Sequence, residues 1–133
     1  MLCYISLFVI CVMIIFTYRK TRCNKNTKSK DPLEYEFLYY FDGWSITHLL
    51  FYMLLGYLYP KYLILTFILG ALWELFEHCT RIYKPKLLFG IGDCSTNDGI
   101  TDKWWYGKWS DLFVNATGLL IGQYLKTGQI KIY

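Results

Sequence analysis

Charge is scarce in this chain: Asp, Glu, Lys and Arg make up 18% of its 133 residues, against about 25% in an ordinary soluble domain. That shortfall excludes an intrinsically disordered chain, which needs low hydrophobicity and high charge, and it excludes a typical soluble surface. There is no internal repeat and no low-complexity tract, so a solenoid or fibrous architecture is excluded as well. The five cysteines are scattered and odd in number, with no Cys-x-x-Cys pair among them. They form neither a disulfide framework nor a structural zinc motif. At 15.9 kDa the chain has room for one domain and not for two sizeable cores.

What is abundant is apolar and aromatic. Hydrophobic residues reach 55% and aromatic ones 20%, with 13 tyrosines and 9 phenylalanines. This composition predicts an all-α, polytopic helical membrane protein with about four transmembrane helices.

The first span is expected over residues 1–18, which carry no charge. A spanning helix needs about 20 apolar residues, with 17 or so tolerated. A cleaved signal peptide would begin with basic residues and end in a small-residue cleavage site. Neither occurs before Arg19, so the segment reads as an anchor. Arg19, Lys20, Arg22, Lys25, Lys28 and Lys30 follow with no acid among them. A basic run directly behind an apolar helix reads as a cytosolic flank, and no nucleic-acid partner is expected. Leu33 to Phe41 is aromatic-rich and suits the membrane interface.

Further spans are expected at about 44–59, with Asp42 or Ser45 as N-cap, at about 62–78 after a Pro60-Lys61 turn, and at about 109–125. Residues 79–108 form a polar connection in which Leu87-Leu88-Phe89 is too short to span and dips at most into the interface. The domain organisation is thus a membrane anchor (1–18), a basic cytosolic and interfacial linker (19–41), a helical membrane core (42–125) and a short tail (126–133). With four spans, the basic first and third connections share one side. The positive-inside rule makes that side cytosolic and puts both termini across the membrane.

Against this background a few polar residues stand out. An Asp or Glu at the centre of a lipid-exposed helix costs roughly 2.5 to 3.5 kcal/mol, so such residues usually have a partner or a task. His48 lies near the start of the second span, Glu74 and Glu77 near the end of the third, and Asp111 and Asn115 near the start of the fourth. Because successive spans alternate in direction, all five come to one leaflet. Glu74 and Glu77 (i, i+3) share a helix face, as do Asp111 and Asn115 (i, i+4). Carboxylates held together either share protons or hold a cation, and an oxygen-dominated set favours calcium or magnesium over zinc. His48 is then the candidate general base.

Plainer readings stand beside these. His48 can be a hydrogen-bonded packing residue. Glu77 and His78 can cap a helix end, and Trp104, Trp105 and Trp109 can be interfacial anchors. Asn115-Ala116-Thr117 matches the glycosylation sequon, but a position inside a span does not suit it. Gly118 and Gly122 form a small-xxx-small pair that predicts a close helix contact.

The order His48, Trp73-Glu74-Leu75-Phe76-Glu77, Asp102-Lys103-Trp104-Trp105, then Asp111 to Asn115 with Gly118 and Gly122, resembles the core of eukaryotic base-exchange phosphatidylserine synthases. The likeness covers about residues 42–125. Tyr106 stands where that family has an acidic residue after its Trp-Trp pair. The last helix is also similar to VanZ-like membrane proteins, whose Asp-x3-Asn-x2-Gly-x3-Gly pattern Asp111, Asn115, Gly118 and Gly122 match.

The first resemblance implies an enzyme that exchanges the head group of a phospholipid, serine for choline or ethanolamine, with calcium as cofactor. It implies His48, Glu74, Asp111 and Asn115 as catalytic residues and Glu74, Glu77, Asp102 and Asp111 as calcium ligands. Its partners would be membrane lipids and their head groups, with a homo-oligomer compatible. Its location would be the endoplasmic reticulum or another internal membrane. The second resemblance implies an integral membrane protein that binds a lipid or a protein partner without catalysis. A third reading is structural, with the acids paired to Arg81, Lys84 or Lys103.

Overall fold

The computed structural model describes residues 2–24, 31–83 and 107–132. Among these the chain is all-helical: α1 (Leu2–Asn24), α2 (Gly43–Leu58), α3 (Leu63–Tyr83) and α4 (Trp109–Thr127), with single 3-10 turns at Pro32–Glu34 and Pro60–Tyr62. No strand occurs among the described residues, only an isolated bridge between Leu38 and Phe41 that closes a tight turn. The expectations for 84–106, including the Leu87-Leu88-Phe89 segment, Lys84, Asp102, Lys103 and the Trp104-Trp105 pair, lie outside the described residues, as do the side chains of 81–83.

The chain divides into two units. α1 belongs to one, while α2, α4 and α3 as far as Cys79 belong to the other. α1 does not stop at Tyr18 but continues through Asn24, so the first basic residues sit on the helix rather than beyond it. Nothing in Arg19 to Asn24 breaks a helix; the next breaker is Asp31-Pro32. Thr17 and Thr21 donate their hydroxyls back to the carbonyls of Met13 and Thr17, both at 2.7 Å, which satisfies them within the helix.

In the second unit each boundary has a local cause. Asp42 caps α2 by accepting a hydrogen bond from Ser45 N at 2.9 Å. α2 stops at Leu58 because Pro60 cannot continue it, and the turn of Pro60–Tyr62 leads into α3. α4 ends at Gly128, which takes the left-handed conformation (φ 68°) and donates its N–H to Tyr124 O.

α2 and α4 are in close contact and run parallel: Ser45 meets Asp111 and His48 meets Asn115, 66 and 67 residues apart. Glycine makes this approach feasible. A Cβ at Gly118 would lie 2.6 Å from Leu49 O, and one at Gly122 would run into Met53 O. The small-xxx-small pair is therefore a backbone seam, answered from α2 by Gly56 against Leu119. Tyr52, Leu55, Val114 and Leu119 are buried along it. α3 leans on α2 at Gly70, over the ring of Tyr52.

At the far end of this unit Gln123 is almost wholly buried, and its amide ties three backbones together. Nε2 donates to Pro60 O at 2.9 Å and to Lys131 O at 2.7 Å, while Oε1 accepts from Lys131 N at 2.8 Å. The segment after α4 is thereby fastened to the α2–α3 turn.

Pro60–Thr80 is long and apolar enough to cross a membrane. It is the one such helix among the described residues. The apolar helices Tyr4–Tyr18 and Gly43–Leu58 are shorter, and α4 is long enough but too polar.

Candidate functional site

The polar residues of the second unit gather where α2 and α4 begin, against the later turns of α3. His48, Glu74 and Asp111 each offer one ligand atom, and the three atoms all lie within 4.8 Å of one another. Glu74 and Asp111 are buried and His48 is mostly so. Three different helices supply the group, as the alternating direction of the helices predicts.

Each side chain is held by a specific partner. Ser45, on the first turn of α2, donates its hydroxyl to Asp111 Oδ1 at 2.8 Å. One turn on, His48 Nδ1 lies 3.0 Å from Asn115 Oδ1, itself one turn beyond Asp111. In the Nδ1–H tautomer the ring donates to that amide oxygen, and Nε2 keeps the free lone pair. Tyr52 stacks on the imidazole with ring centroids 6.2 Å apart. Glu74 Oε2 accepts from the backbone N–H of Lys108 at 3.2 Å, and Oε1 lies 3.5 Å from His48 Nδ1.

Lys108 has two attachments here. Its backbone holds Glu74, while its ammonium reaches the buried Asp42 Oδ2 at 2.6 Å. The cation that serves the cluster among the described residues is thus Lys108. Three acidic side chains (Asp42, Glu74 and Asp111) gather in a region shielded from water, and the ammonium of Lys108 bonds one of them, Asp42. Two buried polar atoms in the cluster have no hydrogen-bond partner among the described residues: Glu74 Oε1 and Asn115 Nδ2.

The other candidates are placed differently. Glu77 is buried on α3 one turn past Glu74, beside Gly107, and stands outside the three-residue group. Asp102 lies outside the described residues. His78 and Trp109 are exposed, and His78 lies more than a turn inside α3 rather than at its end, since the helix continues to Tyr83. Beside the cluster, an apolar groove of about 310 Å³ runs between α3 and the start of α4, walled by Phe67, Leu72, Leu75 and Leu112 and reaching Glu74 and Lys108.

Sequence reasoning missed Lys108 and the second role of Ser45. A signal for Ser45 did exist. Ser45 and His48 share one face of α2, Asp111 and Asn115 share one face of α4, and two parallel helices bring these pairs together in order. Lys108 carried no such signal, because a lysine before a helix reads as a solvated flank.

An excess of carboxylate around one imidazole can bind a cation, and a hydrogen-bonded imidazole can move a proton. No protein-family model, curated protein or solved structure matches the chain.

Proposed function

We propose that this chain is an integral membrane enzyme that exchanges phospholipid head groups, in the manner of the base-exchange phosphatidylserine synthases its core resembles. The observation that carries this reading is the convergence of His48, Glu74 and Asp111 from three helices, within 4.8 Å and screened from water. Burying two acids and a histidine in so apolar a chain is costly, and such groups commonly mark a functional site.

The membrane setting is supported by the surface of α3. Only 28% of the spanning window is buried, so most of its leucines and isoleucines face outward. In water that would be an aggregation hazard; in a bilayer it is the lipid-facing surface. On this reading α1, α2 and α4 cross with α3. Tyr35 to Phe41, whose rings are exposed, lie at the interface on the side of the cluster.

The residues divide the chemistry as follows. Nε2 of His48 accepts the proton of the serine hydroxyl as its oxygen attacks the lipid phosphorus. A new P–O bond to serine forms and the bond to choline or ethanolamine breaks. The proton held on His48 then passes to the departing alkoxide. The oxygen-rich donor set suits a hard divalent cation such as calcium, and Glu74 Oε1 has no hydrogen-bond partner among the described residues. When bound there, such an ion screens the phosphate charge and orients the diester. Asp42, Lys108 and Ser45 hold the acids in place.

The test is incorporation of labelled serine into lipid by proteoliposomes containing the full chain, with calcium or with a chelator. Calcium-dependent label that is lost in Glu74→Gln and Asp111→Asn is the expected result. Correctly inserted protein that yields no label would overturn the enzyme. The apolar groove beside Glu74 favours one other reading, a VanZ-like protein that binds lipid without chemistry. That reading predicts lipid retention with no label exchange.

A further inference from the structure

Almost every hydrogen-bond donor in the cluster is spent on a carboxylate. The backbone N–H of Ser45 is given to Asp42 and its hydroxyl to Asp111. The backbone N–H of Lys108 is given to Glu74 and its ammonium to Asp42. Two atoms are left over: an acceptor, Glu74 Oε1, and a donor, Asn115 Nδ2, neither with a partner among the described residues. Both residues are more than nine-tenths buried. They flank the same ring atom, since His48 Nδ1 is 3.0 Å from Asn115 Oδ1 and 3.5 Å from Glu74 Oε1.

A buried donor and a buried acceptor that do not satisfy one another describe the ligand that would satisfy both. A cation alone would serve Glu74 and leave the amide unpaired. An anion alone would meet the amide but would leave the acceptor Glu74 Oε1 unserved and bring no counter-charge to the acids around it. An anionic oxygen that arrives bound to a divalent cation serves both at once. We infer that Asn115 Nδ2 is the hydrogen-bond donor to a phosphate oxygen of the ligand, while Glu74 Oε1 meets the cation that accompanies it. Asn115 is then a direct contact to the phosphate group and not only a support for His48. This assignment rests on the head-group reading above and adds to it the group that recognises the phosphate.

The amide is better suited to this task than a lysine or arginine. A fixed positive charge in that position would pair with the neighbouring carboxylates and be lost to the ligand. A neutral donor remains available.

The test uses the full chain in nanodiscs, with Mn²⁺ as a paramagnetic substitute for calcium and sn-glycero-3-phosphocholine as a soluble phosphodiester. Mn²⁺ binding is read by electron paramagnetic resonance, and the diester by ³¹P relaxation. The wild-type chain should bind Mn²⁺ and relax the ³¹P signal. Asn115→Asp keeps the side-chain shape and an oxygen towards His48 but removes the donor. It should bind Mn²⁺ at least as well while losing about tenfold or more in diester affinity. Asn115→Ser, which restores a donor, should recover part of that loss.

Inorganic phosphate is run in parallel to separate a free anion from a lipid head group. Relaxation of inorganic phosphate without the diester would overturn the lipid source. Free serine competing for the amide in place of the diester would overturn the phosphate assignment. Mn²⁺ binding with equal diester relaxation in wild type and Asn115→Asp would overturn the donor role alone. A folded wild-type chain that binds no Mn²⁺ would overturn the head-group reading with it.

Discussion

Ser45 and Asp111 share a hydrogen bond of 2.8 Å between two side chains that are each about 2% exposed. The serine hydroxyl is one of the few neutral donors that meets an acid in this cluster. Ser45→Ala would leave Asp111 Oδ1 buried with that donor gone, a cost of about 1 to 3 kcal/mol. A lowered midpoint of thermal unfolding in detergent is the expected outcome. A divalent cation should recover part of the loss if it shares Asp111, so a variant as stable as wild type with or without cation would count against this account.

The seam between α2 and α4 leaves no space for a side chain at Gly118 or Gly122. Gly122→Leu must push its side chain into the backbone of α2 near Met53. Overpacking of this kind costs typically 1 to 3 kcal/mol, and here the obstacle is rigid backbone. We expect the variant to unfold earlier than wild type and to lose divalent-cation binding, because the register that pairs Ser45 with Asp111 depends on this approach. Leu125→Ala, on an exposed face of the same helix, is the control and should leave both unchanged.

The ion pair of Lys108 with Asp42 is buried on the acid side and mostly buried on the lysine side. Lys108→Met leaves Asp42 charged and without its ammonium, at a cost of about 3 kcal/mol. The backbone bond from residue 108 to Glu74 survives the substitution. The double variant Asp42→Asn/Lys108→Met should therefore be more stable than Lys108→Met alone, and a double-mutant cycle measured by chemical unfolding reads the difference. Strict additivity of the two single effects would show that the pair is not coupled.

Gln123 fastens the segment after α4 through three hydrogen bonds. Gln123→Leu fills the volume but offers none of them. Trypsin should cut after Lys126 and Lys131 faster in that variant than in wild type, with little change in cation binding at the distant cluster. Equal cleavage rates would show that other contacts hold the segment.

Much of this was legible in the residues. The helices of the second unit lie within a few residues of where capping and proline signals put them. α3 is the exception: it runs on to Tyr83, because no breaker follows His78 until Pro85. The meeting of His48, Glu74, Asp111 and Asn115 follows from two simple facts, helical spacing within each segment and alternating direction between segments. What could not be read was lateral register. Nothing local says that a lysine ahead of α4 bonds Asp42, and the pairing of Ser45 with Asp111 emerges only once the faces of α2 and α4 are set side by side. Gly56 was silent for a similar reason: a lone glycine acquires meaning only when the backbone of Leu119 is seen against it. The expected number of spans was read from hydrophobicity, yet among the described residues only Pro60–Thr80 meets the length and composition of a spanning helix. α2, at 16 residues, is about 24 Å long and falls short of a bilayer's apolar thickness of about 30 Å.

The parallel run of α2 and α4 also bears on why acids gather at this end. Each helix begins with unpaired N–H groups equivalent to about half a positive charge. Two helices starting side by side would repel each other there, and the repulsion is strongest where water is excluded. Asp42 at the cap of α2 and Asp111 in the first turn of α4 stand where counter-charge is needed. The carboxylates thus allow the two dipoles to lie in the same direction, so that neutralising either acid should loosen the helix pair even when no ligand is bound.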